Sequence, residues 1–283
     1  MKTKFFFLRT ITALALIGSV ITSCKKETTT EDTDTQSASD NSLAESNFND
    51  VQSISEQAND LGSLSSYKMQ NPYQELTVLS ACATVTKDTV ANPHTITIDF
   101  GATNCTCTDG KMRRGQILVS YTGPYRATGT VITHTFNNYF VNDNQVTGTK
   151  TVTNNGPNGA GNLIFAINAT GNVILANNGG TISWTSTRTR EWTAGSATQT
   201  VQDDVYSITG GATGTSAAGN TFVSQITTPL VRKMATGCRQ IVSGVIVLSP
   251  ANKAIRTIDY GTGVCDDQAT VTINGHSRTI TLR

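Results

Sequence analysis

From about Leu76 to the C-terminus, apolar and polar residues alternate with a period of two. Clear runs lie at residues 95–100, 146–153, 270–273 and 279–282. Successive side chains of a strand point to opposite faces, so this pattern predicts half-buried antiparallel strands with one apolar face and one wet, Thr-rich face. Asn274-Gly275 is a strong two-residue hairpin signal between two such runs. Because no helical segment separates the strands, the prediction is an all-β, antiparallel meander that forms a curved sheet or a sandwich.

A different pattern precedes the sheet. Apolar residues recur there at helical spacing, and a glycine suited to a helix C-terminus follows them. This predicts a short amphipathic helix over residues 43–62, which either caps the domain or lies on its surface. The positions are Leu43, Phe48, Val51, Ile54, Ala58, Leu61 and Gly62.

The N-terminus has the order of an export signal. Basic residues come first, a short apolar run reaches Val20, and Ile21-Thr22-Ser23-Cys24 closes it. This predicts a signal peptide over residues 1–23 rather than a membrane span. Cys24 resembles the cysteine of a bacterial lipobox, which is lipidated and becomes the mature N-terminus. The alternative is a simple signal peptide that contains a cysteine by chance.

Domain organisation follows from these patterns. Residues 24–42 are polar and without periodicity, which predicts a flexible tether between the anchor and a single β domain over residues 76–283. The formal net charge is +1 and turns slightly negative once the signal peptide is removed. That balance excludes a large basic patch for nucleic acid. The predicted partner is the membrane, which the protein would reach through its lipid anchor.

The cysteines accompany an internal repeat. The sequence TIDFG ends four residues before Cys105, and TIDYG ends four residues before Cys265. Cys82 and Cys238 lie at matching places upstream, so we predict the disulfides Cys82–Cys105 and Cys238–Cys265 in two similar hairpin modules at the ends of the β region. Cys107 is left over, although it could replace Cys105. The C-x-C spacing does not suit a structural zinc site, and no metal is predicted.

The run ISWTSTRTREW places an unusual set of side chains on one face of a strand. Such a face could stack on a sugar ring or clamp an anion, and it is the candidate ligand face. The competing interpretation is a structural ladder in which Arg stacks on Trp, and the pattern favours it. We call this set the Trp–Arg row: Trp184, Arg188, Arg190 and Trp192. Five residues could extend the same surface: Arg113, Arg114, Tyr121, Tyr125 and Arg126.

Other candidate chemistry is sparse. The Thr rows at 147–153 and 185–189 suggest an ice- or mineral-binding surface, but the chain lacks a short exact repeat, so a solvated sheet face is favoured. No G-x-S-x-G, H-E-x-x-H or calcium-loop pattern occurs. A hydrolase could use Asp203 or Asp204 with His134, although a neutral packed histidine is the expectation at 134. We predict a non-enzymatic protein with no catalytic residues and no cofactor.

Several segments in combination resemble an uncharacterised family of lipid-anchored cell-envelope proteins of Bacteroidota. They include TITIDFG, NCTCTDGKMRRGQI, NNYFVNDNQVTGTKTVTNNG, TSTRTREWTAG, CRQIVSGVI and CDDQATVTING, and the resemblance covers essentially everything after Leu76. It implies an envelope lipoprotein and no assigned activity. In that phylum acidic residues directly after the lipidated cysteine often mark surface export. Here Lys25-Lys26 come first, so the periplasmic and the cell-surface side of the outer membrane both stay open.

The predicted function combines these features. We expect a lipid-anchored binding or scaffolding protein of the outer membrane, with the Trp–Arg row as its contact face. A cell-wall glycan or an envelope protein would be the partner. The alternative is a periplasmic carrier that holds a lipophilic ligand in its curved β-sheet.

Overall fold

A computed structural model describes residues 32–60, 82–198, 202–235, 238 and 240–282. The predicted signal peptide, Cys24 and residues 25–31 of the tether lie outside this part of the chain. So do residues 61–81, which include the predicted helix stop at Gly62.

The described chain forms one helix and one antiparallel sheet. Consecutive strands pair in the order β1-β2-β4-β5 and onward to β14, and the short β3 pairs with β4 beside this path. The prediction of an all-β antiparallel meander is confirmed, and the sheet is open and curved. The elements are α1 (Gln36–Asp60), β1 (Thr84–Asp88), β2 (His94–Asp99), β3 (Cys105–Thr106), β4 (Met112–Tyr121), β5 (Val131–Val141), β6 (Asn144–Pro157), β7 (Leu163–Ile174), β8 (Thr181–Ala194), β9 (Val205–Thr215), β10 (Thr221–Lys233), β11 (Ile241–Pro250), β12 (Arg256–Thr262), β13 (Gln268–Ile273) and β14 (His276–Thr281).

Helix α1 lies against the inner face of this curve, and strands from β2 to β12 contact it. None of residues 37–58 is exposed. The apolar positions Phe48, Val51 and Ile54 are buried as their spacing predicts, but Glu45 and Gln52 are buried as well. The helix is therefore an internal element that covers the inner face of the sheet, and the alternative placement on the surface of the domain is wrong. No helix among the described residues has an apolar stretch long enough to cross a membrane.

The helix also begins earlier than its hydrophobic spacing indicates. It starts at Gln36 rather than Leu43, so residues 36–42 of the predicted tether are helical. The Asp34 carboxylate accepts a hydrogen bond of 2.8 Å from the Gln36 amide, which satisfies a donor that the first helical turn leaves open. Hydrophobic spacing did not predict this first part of the helix, because buried side chains there, such as Asn41, are polar.

Aromatic packing holds the middle of α1 to the sheet. The Phe48 ring stacks on Trp184 with centroids 5.5 Å apart and meets Phe136 edge-on at 6.1 Å. A Cβ at Gly171 of β7 would lie 2.8 Å from the Phe48 ring, so a glycine there lets the helix approach. Burying a Phe side chain contributes about 1.5–3 kcal/mol, and Phe48 is the largest apolar side chain that α1 buries.

The two disulfides form as predicted, one towards each end of the sheet. Cys82 bonds to Cys105, and Cys238 bonds to Cys265. The repeat is visible in the turns as well, because Asp99 accepts a 2.8 Å hydrogen bond from the Gly101 amide and Asp259 accepts the same bond from Gly261. Cys107 is a buried free thiol, and burial raises its pKa.

Candidate functional site

The Trp–Arg row lies on the inner face of β8, beneath α1. Burial alternates strictly over Thr181–Glu191, so the row shares one face as predicted. Its members are only 4, 4, 2 and 0% exposed, in chain order. The row is therefore not an open contact surface in this structure: the helix contacts its first three members, and Trp192 is buried against Tyr125 and Tyr206.

Two arginines of the row meet carboxylates of α1. The Arg188 guanidinium donates to Glu45 through Nη2 at 2.7 Å and through Nε at 3.3 Å. Arg190 lies 3.7 Å from Glu56 and donates to the Tyr125 hydroxyl, which in turn donates to Glu56 at 3.1 Å. Because these charges are removed from water, each is stabilised by its partner. Removing one partner of a buried pair typically lowers the free energy of unfolding by about 3–5 kcal/mol.

Further cations approach the helix from neighbouring strands. Lys150 of β6 donates to the Phe48 carbonyl at 2.8 Å, and Arg232 of β10 donates to the Ser53 hydroxyl at 2.8 Å. Arg113 of β4 forms two 2.7 Å bonds with Asp109 and lies 3.5 Å from Asp50 of the helix. The buried cations of the sheet, which include the two arginines of the row and Arg256 of β12, are called the inner-face cations. They are Arg113, Lys150, Arg188, Arg190, Arg232 and Arg256.

Arg256 of β12 holds the chain that leads into the helix. Its guanidinium donates to the Asp34 carbonyl at 3.0 Å and pairs with the Asp32 carboxylate at 2.8 Å. Lys253 pairs with the Asp34 carboxylate and lowers its pKa. The sheet thus binds both the helix and the residues immediately before it.

Burial shifts the pKa of two bases that face α1. Burial and the charges of Arg190 and Arg232 lower the pKa of Lys150 to about 7. Burial and the charge of Lys150 lower the pKa of His134 to about 3. His134 Nε2 lies 2.8 Å from the Ser55 hydroxyl of the helix, and its Nδ1 lies 3.3 Å from the Lys150 carbonyl. A neutral packed histidine is therefore what the structure contains.

Contacts between arginines and aromatic rings accompany the ion pairs. The Arg190 guanidinium lies 4.7 Å from the Tyr206 ring centroid and 4.9 Å from that of Phe165. Arg126 lies 4.9 Å above Trp192, and Arg188 lies 5.9 Å from Trp184. Arginine–ring contacts therefore accompany the row at attractive separations, but Arg190 meets Phe165 and Tyr206 rather than a tryptophan of the row.

The proposed extension of the row is only partly brought together. Arg113 and Tyr125 join the inner face, and Arg126 reaches Trp192. Arg114 pairs instead with Asp143, which is exposed, and covers the Phe140 ring at 3.8 Å. Tyr121 contacts His94, with ring centroids 5.2 Å apart.

The candidate catalytic residues are not joined by a hydrogen bond. The ring nitrogens of His134 face Ser55 and the Lys150 carbonyl. Asp204 is buried and accepts a 3.1 Å bond from the Trp192 indole, while Asp203 is exposed. In the described segments no three His, Cys, Asp or Glu side chains come together to hold a metal ion. Whether the protein is an enzyme stays a prediction.

Sequence reasoning missed part of this site. It did not single out Arg232, Arg256 or the helix acids Glu45 and Glu56 as members of one surface. A signal for the first two was present, because each lies in step with buried apolar residues of its strand, as Arg256 does with Ile258. A charge at an inward position of a period-two strand indicates a buried partner elsewhere in the chain.

No family model, no curated protein and no solved structure matches this chain. The geometry of the inner face therefore carries the functional argument.

Proposed function

We propose that the protein is a lipid-anchored, non-enzymatic scaffold of the cell envelope whose sheet clamps the segment that follows the anchor. The observation that supports this is the enclosure of α1, in which none of residues 37–58 is exposed and Glu45 and Glu56 pair with two of the inner-face cations. Such a clamp fixes the domain to its tether through a rigid element.

The clamp sets how far the domain stands from the membrane. Residues 25–35 separate Cys24 from the start of the helix. A chain of that length spans at most about 40 Å when fully extended. The anchored domain would therefore stay close to the bilayer that holds the lipid, which suits a protein that organises partners at the envelope.

Partner contact in this proposal moves from the Trp–Arg row to the outer face of the sheet. Cross-strand pairs place Thr149, Thr170, Thr185 and Thr213 in one row across four strands, and all four are exposed. This face is polar and displays hydroxyl groups. It suits a glycan or a hydrophilic envelope protein, the partner classes expected from the sequence.

The carrier function stays an alternative prediction. A lipophilic ligand would need an apolar concave surface, and α1 occupies the inner face where that surface would lie. A carrier would therefore have to release the helix and expose the buried cations. Mass spectrometry of an organic extract of the purified protein tests this, because a stoichiometric lipid would support the carrier and contradict the scaffold.

Photo-crosslinking in intact cells tests the scaffold. A crosslinking residue at Thr185 on the outer face should give a discrete adduct with an envelope glycan or protein. The matched control is Val90, which is 95% exposed and lies in the connection between β1 and β2 rather than on the strands of the Thr row. Adducts of equal pattern at both positions, or none at Thr185, would contradict the proposal. Cys24→Ala should release the protein from the membrane fraction and abolish the Thr185 adduct.

A further inference from the structure

A small cavity lies between α1 and the inner face of the sheet. Its volume is about 20 Å³, enough for a single water-sized occupant. Helix residues Glu45 and Gln52 line one side. Four of the inner-face cations line the other: Lys150, Arg188, Arg190 and Arg232.

Arg188 brings an unused donor to this cavity. Its Nε and Nη2 atoms are bonded to Glu45, whereas its buried Nη1 has no hydrogen-bond partner in the described chain. Arg188 is only 4% exposed, so bulk water does not compensate. A buried, charged donor without an acceptor is costly, and such an atom needs an explanation in terms of an occupant.

Lys150 supplies a second positive group with donors to spare. An ammonium group has three N–H donors, and the hydrogen bond of Lys150 goes to the neutral Phe48 carbonyl. Burial, Arg190 and Arg232 oppose its protonation, whereas Glu56 and Glu45 favour it, and the pKa falls to about 7. His134, whose pKa is also lowered, lies against the Lys150 backbone and adds no negative charge. Glu45 and Glu56 therefore do not fully offset the burial of the Lys150 ammonium and the charges of the two arginines.

We propose that this cavity is a binding site for one small inorganic anion of halide size, held by Arg188 Nη1 and the Lys150 ammonium. The anion would supply the acceptor that Arg188 Nη1 lacks, and it would accept a further hydrogen bond from Lys150, whose recorded bond goes to the neutral Phe48 carbonyl. It would bind α1 and the sheet at once, because both line the cavity, and so would strengthen the clamp. The site stands independently of the scaffolding role, since it concerns only how the helix is held.

Bromide locates the site directly in the wild-type protein. Crystals grown with bromide in place of chloride should show an anomalous scattering peak within hydrogen-bond distance of Arg188 Nη1 and Lys150 Nζ. A water peak there without anomalous signal would overturn the proposal.

Thermal unfolding tests the site in solution. In chloride the melting temperature of the wild-type protein should rise with the logarithm of halide concentration, above that in gluconate at equal ionic strength. Arg188→Lys keeps the charge opposite Glu45 but removes the guanidinium fork, and it should weaken halide binding about tenfold. Arg114→Lys, which changes the cation of the outer pair with Asp143, is the matched control and should keep the full response. Identical melting in chloride and gluconate, or an unchanged response in Arg188→Lys, would contradict the assignment.

Discussion

The two faces of β8 differ in a way that hydrophobicity alone does not express. Both faces are polar in part: the outer face carries Thr185, Thr187 and Thr189, and the inner face carries Ser186 and two arginines. Yet the threonines are exposed and the arginines are buried. The outer face needs nothing to cover it, because water satisfies its hydroxyl groups. The inner face needs acceptors and negative charge, and α1 supplies them.

This contrast explains the composition of the helix. An internal helix is usually apolar all round, but α1 buries Glu45, Gln52 and Glu56 beside Phe48 and Ile54. Each acidic side chain would be costly against an apolar sheet, and each inner-face cation would be costly against an apolar helix. The polar helix and the cationic sheet face are therefore understandable only as a pair.

Removing one buried charge from the inner face should lower the free energy of unfolding more than any other substitution considered. Arg188→Met leaves Glu45 buried and unpaired, and we expect the free energy of unfolding to fall by about 3–5 kcal/mol. The matched control is Thr187→Val on the outer face of the same strand, where a change within about 0.5 kcal/mol is expected. Urea denaturation of both variants measures the difference.

A second substitution sharpens this test. Glu45→Met combined with Arg188→Met removes both charges, and it should recover most of the loss seen with Arg188→Met alone. Equal losses for Arg188→Met and Thr187→Val would show that the two faces do not differ as the structure indicates.

Loss of a neutral hydrogen bond should also destabilise the protein more on the inner face than on the outer face, by a smaller amount than loss of a charge. Asn41 of α1 accepts hydrogen bonds from the Trp184 indole at 3.1 Å and from the Ser224 hydroxyl at 3.2 Å. Asn41→Ala leaves the buried Trp184 indole without this acceptor, whereas the Ser224 hydroxyl keeps a 3.5 Å bond to the Ala212 carbonyl, and we expect a loss of about 1–3 kcal/mol in denaturant unfolding. Asn168→Ala removes a similar 3.2 Å bond to Thr187 on the outer face, where water replaces it, and should cost little. If Asn168→Ala lowered the free energy of unfolding more than Asn41→Ala, the assignment of the buried and exposed faces would be wrong.

Stability should rise with pH because of the two buried bases, Lys150 and His134. The folded state holds Lys150 with a pKa of about 7 against 10.5 ordinarily, so the unfolded chain binds the extra proton between these values, and stability rises with pH across that window. His134, with a pKa of about 3 against 6.5, likewise makes stability fall as the pH drops from 6.5 towards 3. The slope is at most about 1.4 kcal/mol per pH unit for each group.

Variants separate these two windows in denaturant titrations done in halide-free buffer. Lys150→Met should flatten the dependence above pH 7. It should narrow the acid window without removing it, because the Lys150 charge contributes to the lowered pKa of His134 and burial remains. His134→Gln should remove the acid window and leave the slope above pH 7 in place. Thr187→Val on the outer face of β8 changes no titratable group, so it is the control and should change neither slope. Unaltered slopes in both inner-face variants would mean that these bases are accessible to solvent.

The outer face should respond least to substitution. Thr185→Val replaces an exposed hydroxyl with a methyl group on a β-branched residue, so we expect a change within about 0.5 kcal/mol. Circular dichroism melting of this variant beside wild type measures it. A loss comparable to that of Asn41→Ala would show that the outer threonines are packed against something in the protein.

The strands and disulfides could be predicted from the sequence because their signals are local. Alternation gives the two faces of β8, and the repeated spacing of Cys105 and Cys265 gives both disulfides. The position of α1 could not, because alternation shows which residues share a face and not what covers them. Glu45 and Arg188 are 143 residues apart in the chain, and neither residue alone indicates the other. The same limit led the Trp–Arg row to be proposed as an open contact face.

Hydrogen exchange of the α1 amides tests the central claim, that the sheet encloses the helix, most directly. If the inner face encloses it, the amides of residues 44–55 should exchange as slowly as those of β8, and only through global unfolding. Mass spectrometry of peptides from the intact chain resolves both segments in one experiment. Exchange of the α1 amides much faster than that of β8 would show that the helix leaves the sheet in the native state and would contradict the clamp.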